Sequence, residues 1–211
     1  MSGRNRAVAV LAAASLLSGC STGAPLTTAS PTADPPAAAA ASNGLRYSTA
    51  RADAVEAMPA PGTCHYQGSG LFAQPDPRCA PGALNPNVTQ ANIHQTICRP
   101  DYSASIRPPE AVTEEEKRAL MAAYGNHAPL SSVELDHIVG VSEGGAVNSV
   151  ANLWPEPNYG HISPRSYFEN PKDRLELRLY QLTCRGRIRL SRAQGLLAYD
   201  WPAAYRTYVL R

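Results

Sequence analysis

The sequence predicts a small α+β domain, and three observations carry that expectation. Val133 to Val141 is a run of strand-forming residues interrupted by Asp136-His137 and broken by Gly144-Gly145, which reads as a hairpin-like pair of strands. Lys172 to Thr183 carries Leu175, Leu179 and Leu182, plus Leu177, and so reads as an amphipathic helix. Between Cys64 and about Pro109 the chain is rich in Pro, Gly and Asn with few apolar runs, so cross-links are expected to substitute for a core there.

The elements follow in order. Residues 1–19 read as a signal peptide, with Arg4 and Arg6 as a basic start and Ala7 to Leu17 as an apolar stretch. That stretch is too short to span a bilayer, which needs roughly twenty apolar residues. Leu17-Ser18-Gly19-Cys20 closes it and resembles the bacterial lipobox, in which the cysteine becomes the acylated N-terminus. Acyl chains contribute about 0.8 kcal/mol per buried methylene, so two chains on Cys20 are expected to anchor the protein to the cell membrane, facing outside the cytoplasm. Residues 20–60 are dominated by Ala, Pro, Ser and Thr and are expected to form a flexible tether, with a weak helical pattern at Ala50 to Met58. The remainder, 61–211, is enough for one compact domain.

Within that domain a short helix is expected from Thr89 to Ile97. Thr113 and Glu116 have the spacing of a capping box ahead of a helix over Lys117 to Tyr124, which Gly125 ends. After the hairpin, the Lys172–Thr183 helix stops at Cys184-Arg185-Gly186. Ser191 starts another through Tyr199, and Pro202 opens the last, which ends near Val209. Cys64, Cys79, Cys98 and Cys184 form an even set in an exported chain, and four cysteines allow three connectivities. No pair has the CxxC spacing of a zinc knuckle. The favoured pairing is Cys64–Cys79 and Cys98–Cys184, the second tying the segment before the hairpin to the C-terminal helices.

Charge is informative only when divided. Removing Arg4 and Arg6 takes the formal +2 to 0, yet His161 to Arg211 holds ten basic residues against four acidic ones (Glu169, Asp173, Glu176 and Asp200). A basic C-terminal third suits a phosphate-rich partner, although each arginine taken singly reads as a surface charge.

The chemistry concentrates in Leu135-Asp136-His137-Ile138-Val139, Gly144-Gly145 and Asn152-Leu153-Trp154-Pro155. An Asp-His pair at a strand end sets a hard-metal ligand beside a possible general base, and a following amide can brace the connection or join the ligands. These residues resemble the first two-thirds of the HNH (ββα-metal) nuclease motif. A wider similarity to exported bacterial HNH-type proteins runs from about Cys79 to Tyr208. It includes Asn85-Pro86 through Cys98, Arg107-Pro108-Pro109, Glu134-Leu135-Asp136-His137, Asn152-Leu153-Trp154-Pro155-Glu156-Pro157 and Lys172-Asp173-Arg174-Leu175-Glu176. Gly140 stands where similar sequences carry proline, which is expected to loosen the turn after the base.

The resemblance implies a ββα-metal core flanked by helices, with a disulfide-stabilised irregular N-terminal part. It implies His137 as general base with Asn152 beside it, and one divalent ion, magnesium or manganese with zinc as an alternative. Asp136, Asn152 and His161 are the implied ligands, with Asp173 and Glu176 as alternates because Pro164 forbids a regular helix through the His161 segment. Arg107, Lys172, Arg174 and Arg178 are candidate phosphate contacts. Trp154 reads as a core anchor, and Glu134 should share a strand face with Asp136. The expected function is an extracytoplasmic, metal-dependent endonuclease that hydrolyses the phosphodiester bonds of DNA with little sequence specificity, RNA being a second candidate substrate. The alternatives are a non-catalytic envelope lipoprotein that keeps the scaffold as a binding module, and a hydrolase of another phosphodiester such as a teichoic acid.

Overall fold

A computed structural model describes residue 41, residues 43–158 and residues 170–211. The described chain is mixed α and β. It opens with β1 (Arg46–Tyr47), which pairs in parallel with β2 (Ala83–Leu84), and continues through α1 (Tyr102–Ser105) and α2 (Glu110–Ala123). Next come β3 (Val133–His137) and β4 (Leu153–Pro157), an antiparallel pair, then α3 (Pro171–Cys184) and α4 (Leu190–Tyr208).

Local sequence accounts for most of these boundaries. Pro171 sits in the first turn of α3, where its missing N–H leaves no bond unmade. Leu175, Leu179 and Thr183 form the helix's buried stripe at a four-residue spacing. Gly186, at φ +67°, then lets the chain reverse. Its N–H donates to the Thr183 carbonyl at 2.9 Å and that of Arg187 to Leu182 at 2.8 Å, which is a Schellman ending. Gly125 ends α2 in the same way, with the Asn126 N–H reaching the Met121 carbonyl.

The main core lies where α3, α4, β1 and β2 meet. Leu45, Leu84, Val139, Leu175, Leu179, Leu197 and Trp201 pack there. A second cluster gathers Cys64, Ala123, Tyr124, Ile138 and Trp154 under the β3–β4 pair. Disulfides join Cys64 to Cys79 and Cys98 to Cys184, the pairing favoured from the sequence. Two such bonds belong to an oxidising compartment. Among the described residues no helix is long and apolar enough to cross a membrane.

Four expectations need correction. The segment 43–60 is built into the fold. Leu45 is buried, which is worth about 2 kcal/mol, and β1 pairs with β2. Asn148 Nδ2 donates to the carbonyls of Arg51 and Ala54, and Glu56 accepts from the Val150 N–H. These partners are remote in sequence, so composition alone hid them. Ala50 to Met58 forms no helix.

Thr89 to Ile97 is a chain of turns, because the Asn92 side chain accepts from the Thr89 N–H and donates to the Asn87 carbonyl, competing with a helical ladder. The capping box does not form: α2 begins at Glu110, and Thr113 lies inside it with its hydroxyl on the Glu110 carbonyl. Glu116 turns inward, and burial lifts its carboxyl to about 7. The two C-terminal helices expected from the sequence do form: α4 spans both, and the non-helical Asp200 (φ −162°, ψ 70°) breaks it between Tyr199 and Pro202, its carboxylate capping the Ala203 N–H.

Candidate active site

The register of β3 on β4 sets Glu134 opposite Glu156, Asp136 opposite Trp154 and His137 opposite Leu153. Side chains two residues apart share a face, so Glu134 and Asp136 point the same way. Trp154 is fully buried and its indole Nε1–H donates to Asp136 Oδ2 at 3.1 Å. The core anchor expected from the sequence therefore also orients the aspartate.

Lys172, the second residue of α3, is only 1% exposed and projects into this face. Its ammonium lies 2.7 Å from Asp136 Oδ2 and 2.5 Å from Glu176 Oε1, and donates to the His137 carbonyl at 2.6 Å. Burial alone would pull the ammonium's pKa down, but the Asp136 and Glu176 charges hold it well above its usual value. Burial pushes the Asp136 carboxyl upward, and Lys172 more than offsets this, leaving it below the ordinary range. Lys172 is thus an internal partner and not the exposed phosphate contact expected from the sequence.

His137 is largely buried, and its Nε2 lies 2.9 Å from the Val147 carbonyl oxygen. A carbonyl can only accept, so Nε2 carries the proton and Nδ1 keeps the lone pair. Burial lowers the imidazole pKa below 6.5, so the ring is neutral at pH 7.

Asn152 is fully buried and all its hydrogen-bonding capacity goes to backbone. Oδ1 accepts from the N–H groups of Val139 (3.0 Å) and Ala83 (3.2 Å), and Nδ2 donates to the carbonyls of Val139 (3.0 Å) and Ala146 (2.8 Å). With both oxygen lone pairs used, Asn152 neither ligates a metal nor touches a substrate. It braces the connection from Val139 to Ala146, which is the bracing alternative given it above and a correction to its ligand and catalytic roles. Gly145 is obligatory in that connection, because a Cβ there would lie 1.8 Å from the Val139 carbonyl oxygen.

Acidic groups crowd the remaining face. Burial, reinforced by neighbouring carboxylates, raises Glu134 and Glu176 to about 7 and Asp173 to about 8. Glu143 and Glu156 are held well above the usual range by burial first and by Glu176 and Asp136 respectively. Gly140 fits this crowding: a Cβ would meet Glu143 Oε2 at 2.4 Å and Glu176 Cδ at 2.9 Å. Its φ of −55° is one that proline also adopts, so glycine here makes room for carboxyls and does not loosen the turn.

Glu134, Asp173 and Glu176 open onto a cleft of about 510 Å³ whose walls also include Asp136, His137, Ser142 and Tyr180. Arg99, Tyr102 and Arg107 form the side contributed by α1 and its flanks. Of the arginines singled out in the sequence, Arg107 lines the cleft, whereas Arg174 and Arg178 are exposed on α3 away from it. Sequence reasoning missed Arg99, Tyr102 and Tyr180, for which no motif gave a signal. It also missed the burial of Lys172, for which the four-residue spacing to Glu176 was a usable one. His161 and Cys20 lie outside the described residues.

The divalent ion that the resemblance implies can be tested against this geometry. Asn152 has no lone pair to give, and Asp136 Oδ2 already accepts from Trp154 and Lys172. An ion on the same carboxylates would face the ammonium, whose like charge it would meet and whose place between Asp136 and Glu176 it would have to take. Among the described residues no three His, Cys, Asp or Glu side chains form a group able to hold a metal ion. The described residues do not fit a divalent ion at Asp136. Comparison of the chain with family models, with curated proteins and with solved structures gave no match.

Proposed function

We propose that the chain is an extracytoplasmic phosphodiesterase of nucleic acids in which His137 is the general base. The observation that carries this reading is the His137 Nε2–Val147 carbonyl contact, which leaves Nδ1 as the basic nitrogen of a neutral imidazole on a cleft wall shared with Arg99 and Arg107. A neutral, positioned imidazole suits removal of a proton from water at physiological pH.

In this reading water attacks phosphorus, its proton passes to His137 Nδ1, and the bond to the 3′ oxygen breaks. A 3′-hydroxyl and a 5′-phosphate result. The leaving oxygen takes its proton from a cleft carboxyl; Asp173, raised to about 8 chiefly by burial, is the group in the right protonation state at pH 7. Arg99 and Arg107 hold the non-bridging oxygens. Contacts to phosphate carry no sequence information, so cutting has little sequence preference and weakens with salt. No step passes through a metal ion. Acylation at Cys20 would hold this activity on the outer face of the cell membrane.

A second reading, a non-catalytic envelope module, is favoured by one observation: Asp136 is committed to Lys172 and Trp154. One assay separates the two. Purified protein should nick supercoiled plasmid or cleave single-stranded RNA, and His137→Ala should not. If the wild-type protein leaves both substrates intact at several pH values, the phosphodiesterase reading is withdrawn and the binding module takes its place.

A further inference from the structure

We propose that the ammonium of Lys172 is the resident cation of this site. It stands between Asp136 and Glu176, where a ββα-type site would otherwise hold a divalent ion, so the site takes up no metal. This rests on the HNH resemblance for where a metal would sit, but not on hydrolysis itself.

Three acceptors surround Nζ, namely Asp136 Oδ2, Glu176 Oε1 and the His137 carbonyl oxygen. An ammonium has three N–H donors, so none remains for a substrate oxygen. Lys172 therefore acts through the residues it holds: it is a positioning residue, tying the end of β3 to the start of α3. On the other side, Asp136 Oδ2 accepts from both Trp154 and Lys172, which uses both lone pairs of that oxygen and leaves an ion only Oδ1. The side chain is 1% exposed, and moving it aside to admit an ion would put a charged group against the buried face of the hairpin. Glu143 and Glu156 are buried with one oxygen each unpartnered, and burial raises both carboxyls well above the ordinary range, so they add little charge that would call for a second cation. A covalently supplied charge also needs no loading, so the site is complete at any ion concentration outside the cell.

The test uses Mn²⁺ as the probe and the purified full-length protein, and it needs no catalytic readout. The chain holds only two lysines, Lys117 and Lys172, so their side-chain ¹⁵N signals are resolved by a single substitution at Lys117. In the wild-type protein at millimolar Mn²⁺, the Lys172 NH₃⁺ signal should persist unbroadened and Mn²⁺ titration should show no stoichiometric site. Lys172→Met keeps the stem but removes the charge, and it should gain one Mn²⁺ site that Asp136→Asn then abolishes. Bleaching of the Lys172 signal by stoichiometric Mn²⁺ in the wild-type protein, lost in Asp136→Asn, overturns the proposal even if Lys172→Met does not fold. A folded Lys172→Met that binds no Mn²⁺ overturns it too. If the wild-type protein binds no Mn²⁺, Lys172→Met gains the site and nucleic acid stays uncut, this inference stands and the hydrolytic reading fails.

Discussion

Lys172 Nζ lies 2.7 Å from Asp136 Oδ2, joining the second residue of α3 to the fourth of β3 inside a face where both side chains are almost wholly buried. That contact replaces solvent for two charges at once. Its net worth to stability is modest, because desolvation opposes attraction, but each partner depends on the other. Lys172→Ala is therefore expected to cost about 3–5 kcal/mol, the typical penalty for leaving a buried charge unpaired. Urea denaturation measures it, and a loss within about 1 kcal/mol would mean that Asp136 finds another partner.

Asn152 makes the opposite kind of prediction, in which no charge takes part. Truncation to alanine orphans four buried backbone groups that the amide now satisfies, each worth about 1–3 kcal/mol when left unpaired. Asn152→Ala should destabilise the protein by at least about 3 kcal/mol. Asn152→Asp should be no better, since a carboxylate oxygen would face the Val139 and Ala146 carbonyls. Denaturation of both variants checks this, and a near-neutral aspartate would show that the connection relaxes around its brace.

The raised carboxyls of the cleft set a stability profile with a definite sign. Glu134 and Asp173 titrate near 7 and 8 in the folded chain, against ordinary values of 4.5 and 3.8. The folded state thus holds these protons more tightly than the unfolded chain. The stability this contributes is fully present below the ordinary values and is lost as pH rises through the folded ones. Asp136, held low by Lys172, acts oppositely, and only below its ordinary value of 3.8. Thermal unfolding should therefore give a Tm that is highest near about pH 4 and falls toward about pH 8. Glu134→Gln should flatten part of that decline. A Tm that rises across the same interval contradicts the burial assigned to these groups.

What the sequence made legible follows from how local each signal is. α3 and its Gly186 ending, the strand carrying Asp136-His137, and the break at Asp200-Trp201-Pro202 are all written within a few residues. β1 is two residues long and depends on β2, nearly forty positions away, so nothing around Leu45 marked it as core. Thr113 and Glu116 have capping-box spacing, but Pro109 starts the helix a turn earlier and sends Glu116 inward. Lys172 and Asn152 show the limit most clearly at the site. Lysine is almost never buried without a partner, so a charged Lys-Asp-Arg run reads as surface. An asparagine's choice between ligand and brace is decided by backbone groups that only the folded connection brings within reach.

The central claim is that His137 removes the proton in phosphodiester cleavage, and its most direct test is the pH dependence of hydrolysis. The measurement is the initial rate on bis(p-nitrophenyl) phosphate, for wild-type protein and His137→Ala, in the presence of EDTA. The imidazole must be neutral to act, and burial holds its pKa below 6.5, so the wild-type rate should fall on an acidic limb below that value. His137→Ala should lose that limb along with about 10²- to 10⁴-fold in rate. A variant that keeps the wild-type rate and profile would contradict the role given to His137.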